Sequence, residues 1–402
     1  MARSTYGDAT DDLLEHDEPV KNERKLRDYT GAETLRRGSI DLPFFFLTVI
    51  ILAIGVVMVL SASFARAYYL YDDPTKYFIR QLIFGFSGIF ITLLMSRFPV
   101  SFYRRVSIPL LFVSVGMLVL VPFIGMEENG ATRWINLGFT TFQPSEIVKL
   151  GVIMAFATMI CTYRNKMKTF KYGVLPFGII LAVIVGLLYL EPHLSASVII
   201  IAVGAIMMFA GGTPLKWFGI GGAGVLGIGY LTIAKMGYAA SRISAWLDPF
   251  SDPKGDGWQI VQSLYAIGSG GVLGLGLGQG RQKYLYLPEE HNDFIFSVVC
   301  EELGYIGAVL VLLLFALLIV RGFWLALHAR DRYGALIVTG ITSLLAIQVF
   351  FNVGVVTGLL PCTGISLPFF SYGGTALWIQ MAEMGIVLAV SREIPLKKRI
   401  KE

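Results

Sequence analysis

Tyr286–Gly304 reads YLPEEHNDFIFSVVCEELG, and on these nineteen residues the fold turns. The stretch opens in polar loop sequence and runs straight into an apolar segment that continues to Val320. Glu289, Glu290, His291 and Asp293 crowd its entry, and Phe294, Ile295 and Phe296 follow at once. Asp293 therefore sits where water gives way to lipid. Glu301 and Glu302 lie two helical turns further in, about 12 Å deeper at ~1.5 Å per residue. Acids at that depth are costly and face a protein interior or a wet cavity. Capping is the plain alternative, because acids favour a helix N-terminus. It accounts for one acid, or two, and not for six ionisable groups between Glu289 and Glu302.

The rest of the chain has the same character. Of 402 residues 55% are hydrophobic and only 15% charged, with a mean hydropathy of +0.67. Runs of about eighteen apolar residues mark membrane spans, so the expected fold class is an all-α polytopic membrane protein. Cys161, Cys300 and Cys362 show no paired spacing, and the four histidines include no HxxxH. A disulfide framework or a dedicated transition-metal site is not expected. Residues 1–41 are polar and acid-rich, unlike a signal peptide, and read as a disordered tail.

Ten spans are expected, near Leu42–Ala62, Phe78–Ser96, Val106–Ile124, Glu146–Cys161, Gly173–Leu190, Ser195–Gly211, Trp217–Ala234, Asp293–Val320, Ala335–Val356 and Ser371–Val390. They make a membrane domain over 42–392, closed by a basic tail at 393–402. Cations crowd the connections after spans two, four, six and eight and the C-terminal tail, whereas the alternate short connections hold only Arg66, Lys76 and Arg133. By the positive-inside rule both termini are cytoplasmic.

The outer side then receives two polar-rich pieces, Met126–Ser145 and the long loop 237–292 between spans seven and eight. A loop of that length folds or functions. Within it, Trp258–Ile267 places Gln259, Gln262, Ser263 and Ala266 on one helical face and apolar residues on the other. That pattern suits a helix in the membrane interface or one packed in a folded loop. Gly268–Gly280 follows, with seven glycines in thirteen residues. No preceding strand and no GxxxxGK[ST] accompany it, which argues against a nucleotide site. Its amides offer a cup for pyrophosphate, but close backbone approach and tight turns are the commoner use and the preferred reading. Glu146 and Lys149 share a helix face and either pair together or line a cavity with Asp293. Glu383 lies in mid-span and needs a buried partner.

Four stretches in this order carry a resemblance: RWINLGFTTFQPSEIVKL, WLDPFSDPKGDGWQIVQSLYAIGSGGVLGLGLGQGRQKYLYLPEEHNDFIF, EELG and VVTGLLPCTGISLPFFSYGGTAL. Over about Leu42–Arg392 the chain resembles the SEDS family of bacterial shape, elongation, division and sporulation proteins. Its wording is nearer the division and sporulation members, FtsW and SpoVE, than the elongation member RodA. The resemblance implies a ten-helix glycosyltransferase acting on lipid II at the outer face of the bacterial cytoplasmic membrane. Its partners would be undecaprenyl-pyrophosphate-linked glycan, a class B penicillin-binding protein and other division proteins, with no nucleic acid. The family's essential aspartate matches Asp293, and its loop tryptophan matches Trp134. Lys283, Arg242, Glu146 and Lys149 fall on recurrent motif positions. Glu191-Pro-His193-Leu-Ser195 departs from the QPDLG or EPDLG of many relatives.

On this reading Asp293 is the general base that takes the proton of a sugar hydroxyl. Arg242, Lys283 and Arg133 are the expected partners of a leaving pyrophosphate, with Trp134, Glu146, Lys149, Glu289 and His291 as further substrate contacts. A divalent cation, Mg or Mn, held by the acids is the alternative to those cations. The competing functions are a lipid II flippase and a scaffold for a transpeptidase.

Overall fold

The computed structural model describes residues 38–128, 131–136, 138, 140–235 and 237–394. The chain begins with three long helices, α1 (Leu42–Tyr71), α2 (Lys76–Met95) and α3 (Val100–Ile124). An antiparallel hairpin follows, with β1 (Met126–Glu128), β2 (Ala131–Asn136) and β3 (Thr141–Phe142) in that order across the sheet. Next come α4 (Pro144–Thr162), a single turn α5 (Phe170–Gly173), α6 (Leu175–Leu190), α7 (Leu194–Gly211) and α8 (Leu215–Lys235). The long connection carries α9 (Gly237–Leu247) and α10 (Trp258–Gly270). The chain ends on α11 (Ile295–Leu327), α12 (Arg332–Val356) and α13 (Gly374–Ser391).

Among the described residues nine helices are long and apolar enough to cross a membrane, counting α5 and α6 as one span. They fall on nine of the ten expected spans, and α8 covers the seventh. The innermost are α4, α12 and α13, most of whose residues are buried. Small residues permit the close approaches. A Cβ on Gly88 of α2 would meet Met381 of α13 at 2.8 Å, and one on Gly385 would meet Met95 at 2.6 Å. Thr92 Oγ1 donates to Met381 O at 2.7 Å across the same contact.

Several boundaries differ from expectation: α3 starts six residues before Val106 and α11 runs seven past Val320, and two differences are larger in consequence. Helix α1 continues nine residues past Ala62 to an αL cap at Asp72. Its thirty residues span about 45 Å against a hydrocarbon core of ~30 Å, because nothing in Ser63–Tyr71 breaks a helix. The expected disordered tail lies outside the described residues up to Arg37, and so do residues 395–402. Gly38–Asp41, assigned to that tail, is instead ordered. Gly38 N donates to Arg392 O at 2.9 Å, Asp41 caps α1 through Phe44 N, and Arg321 pairs with Asp41 at 2.5 Å. The start of α1 and the end of α13 thus share one face, and Tyr71, at the far end of α1, reaches the opposite one.

The long connection is folded. Helix α10 buries Gln262, Ser263 and Ala266 together with Ile260 and Val261, and leaves Tyr265 exposed. Ser263 Oγ donates to Val356 O at 2.6 Å and meets Ser297 Oγ at 2.7 Å. The polar stripe turns inward because only the protein offers it partners in an apolar setting.

Candidate active site

The turn ahead of α11 is held from three sides. Glu289 has a positive φ of 53°, and its carbonyl accepts from Asn292 N at 3.0 Å and Phe294 N at 3.2 Å. Asn352 of α12 donates through Nδ2 to Asp293 O and to Ile365 O, each at 2.7 Å. Ser371 Oγ donates to Asn292 O at 2.8 Å, and Tyr372 N to His291 O at 2.9 Å. The backbone around Asp293 is therefore stitched to α12 and to the segment before α13, and its position is fixed without help from its own side chain. Among the described residues its carboxylate accepts no hydrogen bond. Helix α11 begins at Ile295 with Phe294 as N-cap and no side-chain cap bond, so the capping account of Asp293 is set aside.

The carboxylate faces a cavity of about 550 Å³. Asp293, Glu289, Trp134, Arg133, Glu146 and Lys149 all line it. Gly364 takes the position beside the acid with φ +62°, and a Cβ there would come within 3.1 Å of Asp293 Oδ2. Burial pushes the Asp293 carboxyl up to about 6, and the neighbouring Glu289 charge adds to it; Arg242, His291 and Arg133 pull the other way. A group with that value is ionised at neutral pH yet basic enough to accept a proton.

The lysine of the Glu146–Lys149 pair is nearly buried, and the two meet at 2.7 Å, so both expectations for them hold together. Glu383 lies within electrostatic reach of both, attracted by Lys149 and repelled by Glu146. Beside them His193 lines the cavity and Glu191, outside the lining, lies two residues before it; both are buried. Burial drives the Glu191 carboxyl up to about 8 and the His193 imidazole down to about 3, the latter helped by Arg133 and Lys149. His193 lines the cavity as a neutral ring, with Nε2 3.4 Å from Gln143 Nε2.

Three expected substrate contacts lie elsewhere. Lys283 is 2% exposed and locked to Glu302 at 2.7 Å and to Ser61 Oγ at 3.0 Å. His291 is packed between the rings of Tyr77 and Tyr372 and lies outside the cavity lining. Arg242 lies outside the cavity lining and donates to Cys362 O at 2.8 Å, acting on Asp293 through its charge. Glu290, fully buried, holds Arg66 of α1 at 2.9 Å.

The glycine-rich segment is likewise spoken for. Its amides at Gly278 and Gly280 donate to Glu302, and those of Arg281 and Gln282 to Glu301. A Cβ on Gly270 or Gly274 would collide with Cys300 O or Glu302 O, at 2.1 and 2.2 Å. Close approach is what these glycines serve, and the amides closest to the acids are not available to a pyrophosphate. Among the described residues no three His, Cys, Asp or Glu side chains converge as a metal-binding group.

Sequence reasoning passed over Arg80, Tyr71 and Tyr77, which line the cavity from α1 and α2. The available signal was a cation inside an apolar span, which marks a functional position by default.

The sequence profile of the cell cycle protein family FtsW/RodA/SpoVE matches residues 42–395. The chain is 41% identical over 365 residues to a probable peptidoglycan glycosyltransferase FtsW of Trichlorobacter lovleyi, covering 90% of this chain and 95% of that one. It is 40% identical over 366 residues to stage V sporulation protein E of Bacillus subtilis, with 89% and 99% covered. Among solved structures it is similar to a chain of a peptidoglycan synthase complex studied for the coordination of polymerization and crosslinking. That match has a TM-score of 0.73 and 31% identity, over 88% of this chain and 98% of that one. The rod shape determining protein RodA of Thermus thermophilus matches with a TM-score of 0.66 and 29% identity, over 89% and 98%.

Proposed function

The chain belongs to the FtsW/RodA/SpoVE family of cell cycle proteins, and from that premise we propose how its cavity polymerises peptidoglycan. It is a multi-pass membrane glycosyltransferase of cell-wall synthesis. The acceptor is the free 4-hydroxyl of the N-acetylglucosamine on lipid II, and the donor is the growing glycan on undecaprenyl pyrophosphate. Asp293 takes the hydroxyl proton as the new glycosidic bond forms, and the bond from the anomeric carbon to the diphosphate breaks on the opposite side, inverting the centre. The observation that carries this is a carboxylate with no hydrogen-bond partner among the described residues. It faces a cavity large enough for sugars and is held near pH 6 by burial. One carboxylate suffices to deprotonate an acceptor, whereas glycoside hydrolysis calls for a pair.

The cavity opens at the face reached by Tyr71, opposite the face where the two ends of the membrane domain meet. Loop cations put that second face in the cytoplasm, so polymerisation takes place on the outer side of the cytoplasmic membrane. Trp134 offers an aromatic platform for a sugar ring, and Arg133 a cation beside it. A class B penicillin-binding protein crosslinks the product. The likeness to a chain of a synthase complex that joins polymerization to crosslinking supports this partner.

The deciding experiment supplies purified lipid II to the protein with its transpeptidase partner, wild type beside Asp293→Asn, with and without Mg or Mn. Glycan from the wild type alone is expected. Full activity in the variant would remove Asp293 from the chemistry. No glycan from the wild type with its partner bound would favour the flippase or the scaffold.

A further inference from the structure

Resting on the polymerase reading, we infer that Arg80 holds the diphosphate of the polyprenyl-linked donor. A departing diphosphate gains negative charge as the glycosyl bond breaks and takes the bonding electron pair with it. Positive charge in its path lowers that barrier. The cations around the cavity are nearly all committed. Lys149 is paired with Glu146, and Lys283 with Glu302. Lys76 sits 3.2 Å over the ring of Tyr71. Arg133 donates to the carbonyls of Glu191 and Pro192.

Arg80 lines the same cavity and, among the described residues, makes no ion pair or hydrogen bond. It lies on α2 beside Ile79 and Ile83, which are 46% and 60% exposed on the lipid-facing side. The guanidinium is thus at the seam between the polar cavity and the hydrocarbon, where the phosphates of a membrane-anchored polyprenyl ester lie. Its fork matches phosphate oxygens two at a time. Inversion demands that the base approach with the acceptor from one side of the anomeric carbon and that the diphosphate leave from the other, so base and cation must be different groups of one cavity, as Asp293 and Arg80 are.

The test measures binding of undecaprenyl diphosphate and undecaprenyl monophosphate to the full chain in nanodiscs. Wild type, Asp293→Asn, Arg80→Gln and Arg80→Met are compared, each checked for folding by its melting temperature. Wild type and Asp293→Asn are expected to bind the diphosphate alike. Either folded neutral Arg80 variant is expected to lose about tenfold or more in diphosphate affinity, and less for the monophosphate. With lipid II, the same variant is expected to lower kcat more than it raises KM. Unchanged diphosphate affinity in a folded Arg80 variant overturns the assignment. If Arg80-dependent binding stands while the wild type makes no glycan, the polymerase reading fails and the diphosphate site does not.

Discussion

The turn at Asp293 and the glycine-rich segment at Gly268–Gly280 are made of the same materials. Each sets acids, backbone amides and a cation at the end of an apolar helix. In the glycine-rich segment the charges are consumed internally. Glu302 alone receives Lys283, Ser61 and two amides, and its side chain is fully buried. At Asp293 the backbone is bonded and the carboxylate is left over. The difference teaches that neither residue type nor depth marks a site here. A charge marks one when its surroundings hold it in place and leave it unsatisfied.

The largest effect that can break this contrast is on catalysis. Asp293→Asn is expected to lower polymerisation by roughly 10²–10⁴-fold, the usual share of a general base. The melting temperature in detergent should stay near wild type, because no described hydrogen bond ends on the replaced atoms. The mirror experiment is Glu302→Gln, which strands Lys283 in a buried site. Breaking a buried pair from one side costs about 3–5 kcal/mol, read as a fall in thermal stability that Lys283→Met in the same chain largely restores. If Glu302→Gln lowers turnover and leaves stability intact, the two regions are not as different as described.

A smaller effect sharpens the comparison by pH. The Asp293 carboxyl stands at about 6, raised first by burial and then by Glu289. Below that value it is protonated and cannot act as a base, so the rate should fall on acidification through pH 6. Glu289→Gln removes one of the raising charges, and the acid limb should move to lower pH. A limb that stays in place would show that Glu289 does not act on the acid. Smallest is Ser61→Ala, which removes one hydroxyl from the Lys283–Glu302 pair and should cost on the order of 1 kcal/mol of stability. The rate per folded molecule should not change.

Much of the fold was legible because hydrophobic runs are local facts. Nine of the expected spans coincide with long apolar helices among the described residues, and Asp293 was placed at its boundary by the switch from HND to FIF. What was not legible was pairing. Lys283 reads as a loop cation near the acid. Glu302, which neutralises it, is nineteen residues ahead, and Ser61, which accepts a further hydrogen bond from it, is 222 residues back. His291 reads as a ligand until the rings of Tyr77 and Tyr372 enclose it. Arg80 failed in the opposite direction, hidden in an apolar run and exposed at the cavity only once α2 takes its place. Contacts between distant segments decide which charges are cancelled, and no window of sequence contains them.

Helix α11 is interrupted at Gly304, where φ is 67° and the backbone of Gly274 presses so close that a Cβ would lie 2.2 Å away. Ile295 to Leu303 is therefore a short peg, cut off below and carrying Asp293 at its upper end. Glu301 and Glu302, near its foot, grip the glycine-rich segment through backbone amides. Leu273 and Val272 stand out from that segment, 79% and 63% exposed. Whatever leans on those two residues from the bilayer or from a neighbouring protein leans, through two carboxylates and a rod of nine residues, on Asp293, the proposed base.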